Sequence, residues 1–568
     1  MIQSDSNKMG ITVKKTINFW LILIISLSFL FRFVSLSSFP VGFNADEASF
    51  GYDSYSILKT GRDQWGNFLP IVLKSFGDYK SPLYSYLLIP FISVLDLTKF
   101  AVRLPNVLVG TLAVWAVYLL TKKISSNEKV SLIAALLLAV NPWHVMMSRG
   151  AFEANLITFF VPIGIYFFLL GLEKPKFLTY SALLFGVGLF SYHSAKLIIP
   201  MVILGLLIIY RQKLTKIGFK KLIIPAIFFS LFFIGMIYTF ALGGGSRISE
   251  RSITKGALEE GAEKKIKLIQ SGTNPIVARL IHNKYRVVVN RFTNNYTQYF
   301  SNRFLFKEGA GEYYYGMIPG RGVLYIFEGI LILGAATLFF DKKYKNTILA
   351  LTLWLLIAPL PAALSTGVGF SGHRAEGMLP IFQIIAAFGF LGWTVLLKRF
   401  SLKVVYGITA VFLIITIYRV VEFVELYFQT PPLKVQRQML VGSLEVGRWI
   451  GENGENRNIL VSRSVSEPQI FIAFANKHDP YLYQESTFKW GFDESNVAWV
   501  DQIPEYRVEK YLFKSIDWPI DSKTDSLIVA RPEEFPKDVL PVKIFNYLDG
   551  TPSIWVVDTN QKIYAKAN

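Results

Sequence analysis

The chain has 568 residues, of which 52% are hydrophobic and 17% charged, against about 25% charged in an ordinary soluble domain. Its 59 Lys and Arg outnumber 40 Asp and Glu, for a formal charge of +19, and its mean hydropathy is +0.39. This balance excludes a soluble enzyme and a disordered chain. The absence of Cys excludes a disulfide module, thiolate metal sites and cysteine nucleophiles.

A spanning helix needs about 20 apolar residues, because it rises about 1.5 Å per residue through about 30 Å of hydrocarbon. Stretches of that kind lie at 17–36, 101–121, 130–147, 154–171, 177–191, 197–210, 222–242, 322–340, 346–364, 378–397 and 404–421. They predict a polytopic α-helical membrane protein with about eleven transmembrane helices. The first stretch follows a basic segment, has no convincing small-x-small cleavage site, and reads as an uncleaved anchor. A twelfth candidate, Ser81 to Leu97, is short, holds Pro82 and Pro90, and ends at Asp96. If it stays on one side, the basic clusters share one face: Lys14-Lys15, Lys122-Lys123-Lys129, Lys174-Lys176, Arg211 to Lys221, Lys342-Lys343-Lys345 and Lys398-Arg399-Lys403. Cytoplasmic loops have that character. The segment is therefore read as an amphipathic helix in the outer interface, with a true span as the alternative.

This topology describes an integral plasma (inner) membrane protein with a cytoplasmic N-terminus. Three long segments face outward: 37–100, 243–321 and the tail 422–568. All five His (144, 193, 282, 373 and 478) fall on that side. The inner loops are short and basic, without a phosphate-binding glycine motif, so ATP-driven chemistry is not expected. The tail carries 16 Lys and Arg against 21 Asp and Glu. Strand-like runs at Asn458–Val465, Ser526–Ala530, Val542–Tyr547 and Ser553–Asp558 predict a soluble α/β domain, read as an accessory or acceptor-recognition module. The chain thus divides into a membrane domain, 1–421, and an outer domain, 422–568.

Chemistry concentrates in the outer loops. The first contains Asn44-Ala45-Asp46-Glu47-Ala48. Adjacent carboxylates against a bilayer face are costly unless used, and desolvation strengthens a carboxylate as a base. The loop continues through Tyr52-Asp53-Ser54, Trp65-Gly66 and Asp78-Tyr79-Lys80-Ser81-Pro82-Leu83-Tyr84, and Arg103-Leu104-Pro105 opens the next span. Downstream come Asn141-Pro142-Trp143 and Ser148-Arg149-Gly150-Ala151-Phe152-Glu153. Then follow Tyr299-Phe300-Ser301, Phe304-Leu305-Phe306, Gly320-Arg321-Gly322 with Leu324-Tyr325, and Ala358-Pro359-Leu360-Pro361 with His373-Arg374 and Leu379-Pro380. In this order, and on one membrane side, these motifs resemble the GT-C membrane glycosyltransferases, in the branch of protein O-mannosyltransferases and the lipid A aminoarabinose transferase. The resemblance covers roughly residues 17–420 and leaves out the tail.

The resemblance implies an enzyme that moves a sugar from a polyprenyl-monophosphate donor to an acceptor hydroxyl of a glycan, lipid or protein at the outer face. Direct displacement at the anomeric carbon needs a base beside that hydroxyl, and the departing lipid phosphate needs waiting cations. Asp46 is then the general base, and Glu47 positions it or the acceptor. Glu153, where the family more often has Asp, binds acceptor or sugar hydroxyls, or else only favours a helix N-terminus. Arg374 is the principal phosphate ligand, since guanidinium grips phosphate bidentately. Lys80 and Arg103 share that task or snorkel to headgroups. His373 hydrogen-bonds phosphate or acceptor, or is structural.

Tyr192, His193 and Lys196 line the cavity or form an interfacial belt. Arg321 stands at the entry to the eighth span, and Glu328 lies about two turns below it, either functional or paired with a base such as Arg32. Gly243-Gly244-Gly245 could hinge the cationic segment from Pro275 to Phe306, which covers the site or docks on anionic lipid. No cofactor is required and no spacing demands a metal, although outer carboxylates and His could hold a divalent ion. Nucleic acid is not an expected partner. The rival readings are an oligosaccharide polymerase or ligase using lipid diphosphates, and a lipid or solute transporter, which would carry inverted repeats with broken spans in both halves.

Overall fold

The computed structural model describes residues 19–245, 251–318, 320–338, 341–366, 371–429, 431–455, 457–492, 494–495 and 497–561, so the Lys14-Lys15 cluster lies outside the described residues. All eleven expected stretches lie on helices. Five are long and apolar enough to cross a membrane: Lys99–Ser125, Glu153–Gly171, Phe219–Gly244, Lys342–Ala363 and Leu402–Phe428. Two more qualify as bent pairs, Ala195–Ile209 with Arg211–Ile217 at 78° and Gly372–Met378 with Ile381–Leu397 at 41°. By length and composition this supports seven spans rather than eleven. The other four stretches hold shorter helices, Phe19–Phe33, Glu128–Val140, Lys176–Gly188 and Ile326–Leu338. Proline explains two of the breaks, because it pushes the preceding residue out of the helical region. Asn141 before Pro142 is extended (φ −61, ψ 127), and so is Leu379 before Pro380 (φ −67, ψ 159).

Near the start of the chain we label the helices α1 (Phe19–Phe33), α2 (Ala45–Thr60), α3 (Leu83–Leu95) and α4 (Lys99–Ser125). Between α2 and α3 lies a two-stranded antiparallel hairpin, β1 (Leu73–Lys74) and β2 (Tyr79–Lys80). Helix α3 is the 81–97 segment. It buries Tyr84, Ser85, Leu88 and Ile92 against a core shared with α2 and α4, while Val94 stays exposed. At the far end of the bundle three of the basic loops meet. Lys122, Lys123, Glu173 and Lys213 line one cavity, and Lys123 pairs with Glu173 at 2.7 Å.

The last long helix runs past Glu422 to Phe428, so the outer domain begins later than the 422 boundary read from composition. Its sheet has six strands in the order β4-β5-β3-β6-β8-β7. These are β3 (Asn458–Ser462), β4 (Glu505–Val508), β5 (Tyr511–Lys514), β6 (Ser526–Ala530), β7 (Lys543–Asn546) and β8 (Pro552–Asp558). β3 lies parallel to β5 and β6, and the remaining pairs are antiparallel. The hairpin β4–β5 was not expected. Its strands are four residues each, and Glu505 and Arg507 face solvent between buried Tyr506 and Val508, too short a pattern to stand out.

The domain sits directly on α2. Phe474 packs on Gly51, where a Cβ would come within 2.6 Å of the ring. The Tyr52 hydroxyl donates to His478 O at 3.1 Å, and Gln484 Nε2 donates to Ser56 Oγ at 3.0 Å and to Asp63 O at 3.0 Å. Within this interface Asp53 is fully buried. It accepts from Gln64 N at 3.0 Å and Gln64 Nε2 at 3.1 Å.

Burial, with the Asp63 charge adding, holds the Asp53 carboxyl well above the usual range. The folded state therefore keeps a proton that the unfolded chain releases near pH 4. That contribution is present below the unfolded pKa and is lost as pH rises through the folded one. Thermal unfolding in detergent should show stability falling between about pH 5 and 8, and Asp53→Asn should remove about half of that fall.

Candidate functional site

The N-terminus of α2 places two carboxylates one residue apart. Asn44 caps it, accepting from Glu47 N at 2.8 Å, and Glu47 answers by accepting from Asn44 N at 3.3 Å, a reciprocal capping box. Successive helical residues point about 100° apart, so Asp46 and Glu47 face different surroundings. Glu47 is fully buried and ion-paired with Arg103, also fully buried. Arg103 Nε and Nη2 donate to it at 2.8 and 2.9 Å, and Ala151 N donates at 3.0 Å. The remaining Arg103 donors reach Leu36 O, Pro40 O and Gly42 O at 3.1, 2.9 and 2.9 Å. Such a guanidinium has no surface to offer a lipid phosphate. Through these contacts Arg103 braces the loop that carries the acids.

Arg149 does the same from the second outer loop, donating to Phe31 O, Val34 O and Phe39 O at 2.8, 2.7 and 3.2 Å. Asn106 Nδ2 pins that loop through Met147 O and Gly150 O at 2.9 and 2.6 Å. These contacts bring Glu153, 8% exposed, toward α2.

Asp46 pairs instead with Lys80 of β2 at 2.6 Å, the carboxylate about one-third exposed and the lysine buried. The Lys80 ammonium sits 4.9 Å from the Phe50 ring centre and 5.1 Å from that of Phe76, an apolar sleeve that aims it at the carboxylate. Next to this pair stands Tyr315. Burial holds its hydroxyl protonated far above the usual range, and the charges of Asp46, Glu153 and Glu312 add to the effect. Its ring lies 4.6 Å from that of His373 and meets Phe152 edge-on at 5.0 Å. Glu312 orients His373, lying 2.5 Å from its Nδ1 and accepting from its backbone N at 2.9 Å. Tyr192 completes the chain of rings at 5.8 Å from His373.

Beyond His373 lies Arg374, whose Nη1 donates to Ser365 Oγ at 2.7 Å and Thr366 O at 3.1 Å. It lines a cavity of about 160 Å³ with Arg251, Tyr192, His193, Leu197 and Leu364. Two guanidinium groups over an apolar wall suit an anion carried on a lipid. His193 Nε2 lies 3.0 Å from Tyr79 O, which ties this cavity to β2 and Lys80. Gly243, at φ +93, packs on the Tyr79 ring, so the glycine run touches the same strand.

Three further expectations fall outside this cluster. Lys196 Nζ donates to Thr239 Oγ1 at 3.1 Å and lies over Phe240. Arg321 pairs with Glu422 at 3.2 Å. Glu328 is not paired with Arg32. It accepts from Tyr325 N, Gln383 Nε2 and Asn141 Nδ2 at 2.9, 2.8 and 3.3 Å, while Arg32 donates to Ser28 and Ala139 O and lies 2.7 Å from His144 Nδ1. Both are joints of the bundle. Among the described residues, no group of three or more His, Asp or Glu side chains is arranged to hold a metal ion.

Residues 79–238 match the sequence family described as dolichyl-phosphate-mannose-protein mannosyltransferase. The match covers less than a third of the chain. No curated protein sequence matches significantly. In fold the chain is similar to ArnT from Cupriavidus metallidurans bound to undecaprenyl phosphate, with a TM-score of 0.54 at 10% identity over 96% of this chain and 99% of that one. The apo state of ArnT gives 0.50 at 12% identity over 95% and 98%. The Archaeoglobus fulgidus oligosaccharyltransferase in the apo form scores 0.47 at 12% identity over 81% of this chain; the alignment spans 64% of that longer protein.

Lys80 and Arg103 fall inside the matched stretch, whereas Asp46 and Glu47 precede it and Arg374 follows it. Sequence reasoning missed Arg251, Glu312 and Tyr315. The run Glu312-Tyr313-Tyr314-Tyr315 in the long segment 243–321 was an available signal, but a tyrosine cluster at a membrane surface reads first as an interfacial belt.

Breaking a buried ion pair by removing one partner leaves an uncompensated charge and costs about 3–5 kcal/mol. Glu47→Ala and Arg103→Ala should therefore each lower thermal stability sharply, and the double variant should lose less than the sum. Unfolding midpoints of the purified protein check this.

Proposed function

We propose that the chain is a glycosyltransferase that moves a sugar from a polyprenyl-monophosphate donor to an acceptor hydroxyl at the outer membrane face. The observation that carries this reading is the Asp46–Lys80 pair, joined through Tyr315, His373 and Tyr192 to a cavity holding Arg374 and Arg251. ArnT, whose fold it shares, is bound to undecaprenyl phosphate, and the matched family is described by dolichyl-phosphate-mannose. The membrane orientation follows the gathering of basic loops at the far end of the bundle. The acids and Arg374 then face outside.

In the proposed step, the acceptor oxygen attacks the anomeric carbon while the bond from that carbon to the phosphate oxygen breaks. The hydroxyl proton passes to a carboxylate oxygen of Asp46, which lies partly open to solvent. Charge that builds on the leaving phosphate is met by Arg374 and Arg251. One displacement with one base inverts the anomeric centre. Glu153 is assigned to sugar or acceptor hydroxyls, and the protonated Tyr315 hydroxyl supplies a donor hydrogen bond. Glu47 acts indirectly, holding the helix end that presents Asp46. The tail domain is assigned to the acceptor side.

Removing a positioned base costs about 10²–10⁴-fold in rate. Asp46→Asn should lower transfer from a radiolabelled polyprenyl-phosphate sugar by that order while undecaprenyl phosphate still binds. Arg374→Ala and Arg251→Ala should each weaken that binding about tenfold, since a hydrogen bond to a charged group is worth about 1.5–3 kcal/mol. Retained transfer in Asp46→Asn overturns the base assignment.

A further inference from the structure

The end of the bundle away from the Asp46–Lys80 pair holds a second cavity. Arg103 and Lys122 stand near opposite ends of α4, about 28 Å apart along the helix at about 1.5 Å per residue, close to the thickness of the bilayer hydrocarbon. Around Lys122, residues of α4, of the helices Glu153–Gly171 and Arg211–Ile217, and of the helix Lys345–Ile357 enclose a cavity of about 470 Å³, the size of a ligand pocket. Lys122, Lys123 and Lys213 line it against one carboxylate, Glu173. Lys122 also pairs with Glu128 at 3.1 Å. In the Lys123–Glu173 pair the carboxylate is 66% exposed and the lysine 21%. An ion pair so open to solvent is worth little, so Lys123 can exchange it for another anion. Lys213 stands over the Tyr210 ring, 5.9 Å from its centre.

The cavity opens on an apolar slot. Ile124, Leu169, Tyr210 and Thr347 line both, and the slot continues between Leu206 and Trp354. It is narrow, with about 20 Å³ of open space, so it takes the upper methylenes of a single chain. Tyr210 marks the 78° bend between Ala195–Ile209 and Arg211–Ile217. The short helix beyond the bend buries Leu214 and exposes Arg211, Lys213 and Lys216, the layout of a helix lying in the headgroup plane. Cations at the mouth and hydrocarbon behind them match an amphiphile with a negative head. A free anion would leave the slot unused.

We propose that this cavity binds an anionic phospholipid of the adjoining leaflet, its phosphate among Lys122, Lys123 and Lys213 and the start of one acyl chain against Ile124 and Leu169. Such a lipid bridges α4, the helix Glu153–Gly171 and the helix Lys345–Ile357 at the end opposite the reacting residues. The site is independent of the transfer reading: it needs neither Asp46 as a base nor Arg374 as a phosphate ligand.

The test titrates the full chain, purified in detergent and stripped of lipid, with phosphatidylglycerol and separately with phosphatidylcholine, and counts bound lipid by native mass spectrometry. One phosphatidylglycerol per chain should be retained, about tenfold more tightly than phosphatidylcholine. Lys123→Gln with Lys213→Gln should weaken its binding by about fivefold for each lysine removed. Lys220→Gln with Lys221→Gln removes the same charge from exposed positions outside the cavity and should leave binding near wild type. Excess glycerol 3-phosphate should not displace the lipid. Equal retention of the two lipids overturns the proposal, and so does an equal loss in the two double variants, which would mark a general attraction of basic loops for anionic lipid. Displacement by glycerol 3-phosphate overturns it in favour of a soluble anion. The lipid comparison and the competition use the wild-type chain, so they decide the matter whether or not the cavity variant folds.

Discussion

The buried pair between Glu47 and Arg103 is the constraint on which the site depends. Taking two charges out of water is expensive, and the pair is tolerable only because every remaining donor and acceptor is satisfied. Arg103 satisfies them with the carbonyls of Leu36, Pro40 and Gly42, and Glu47 with the amides of Asn44 and Ala151. One joint thus fixes the end of the first apolar helix, the start of α2, the start of α4 and the second outer loop.

From that joint, two identical-looking acids acquire opposite tasks. Glu47 is spent on architecture, while Asp46, one position earlier on the same helix turn, opens toward Lys80 and solvent. The lysine is stripped of water by Phe50 and Phe76, which strengthens its attraction to the carboxylate. The rings of Tyr315, His373 and Tyr192 then separate this pair from the guanidinium groups at Arg374 and Arg251. On the proposed function, base and phosphate ligands are thus held apart, as displacement requires: the acceptor's proton would leave on one side of the anomeric carbon and the lipid phosphate on the other.

The outer domain belongs to this arrangement rather than hanging from it. Its helix Pro468–Ala475 rests on α2, its 498–500 segment rests on the hairpin, and its buried polar contacts with Ser56 and Asp63 fix the orientation. A domain held at so many points is fixed against the two elements that carry the Asp46–Lys80 pair.

Much of this was legible without coordinates. Hydropathy located the candidate membrane spans found among the described residues, because lipid imposes one length and one polarity on spanning segments. Charge asymmetry picked out basic loops, three of which meet at one cavity, and the order of short motifs around Asp46, Lys80, Arg103 and His373-Arg374 pointed to a membrane glycosyltransferase. The number of unbroken spans was not legible, since Asn141 before Pro142 and Leu379 before Pro380 interrupt helices whose composition reads as continuous. Residue roles were still less so. Arg103 and Arg374 look alike in sequence, yet one is sealed among backbone carbonyls and the other lines a cavity. Arg251, Glu312 and Tyr315 carry no local signal that separates them from interfacial neighbours. Composition acts residue by residue and therefore determined what each segment could be; which charges meet, and which are buried, depends on contacts between segments hundreds of residues apart, and only the folded chain decides those.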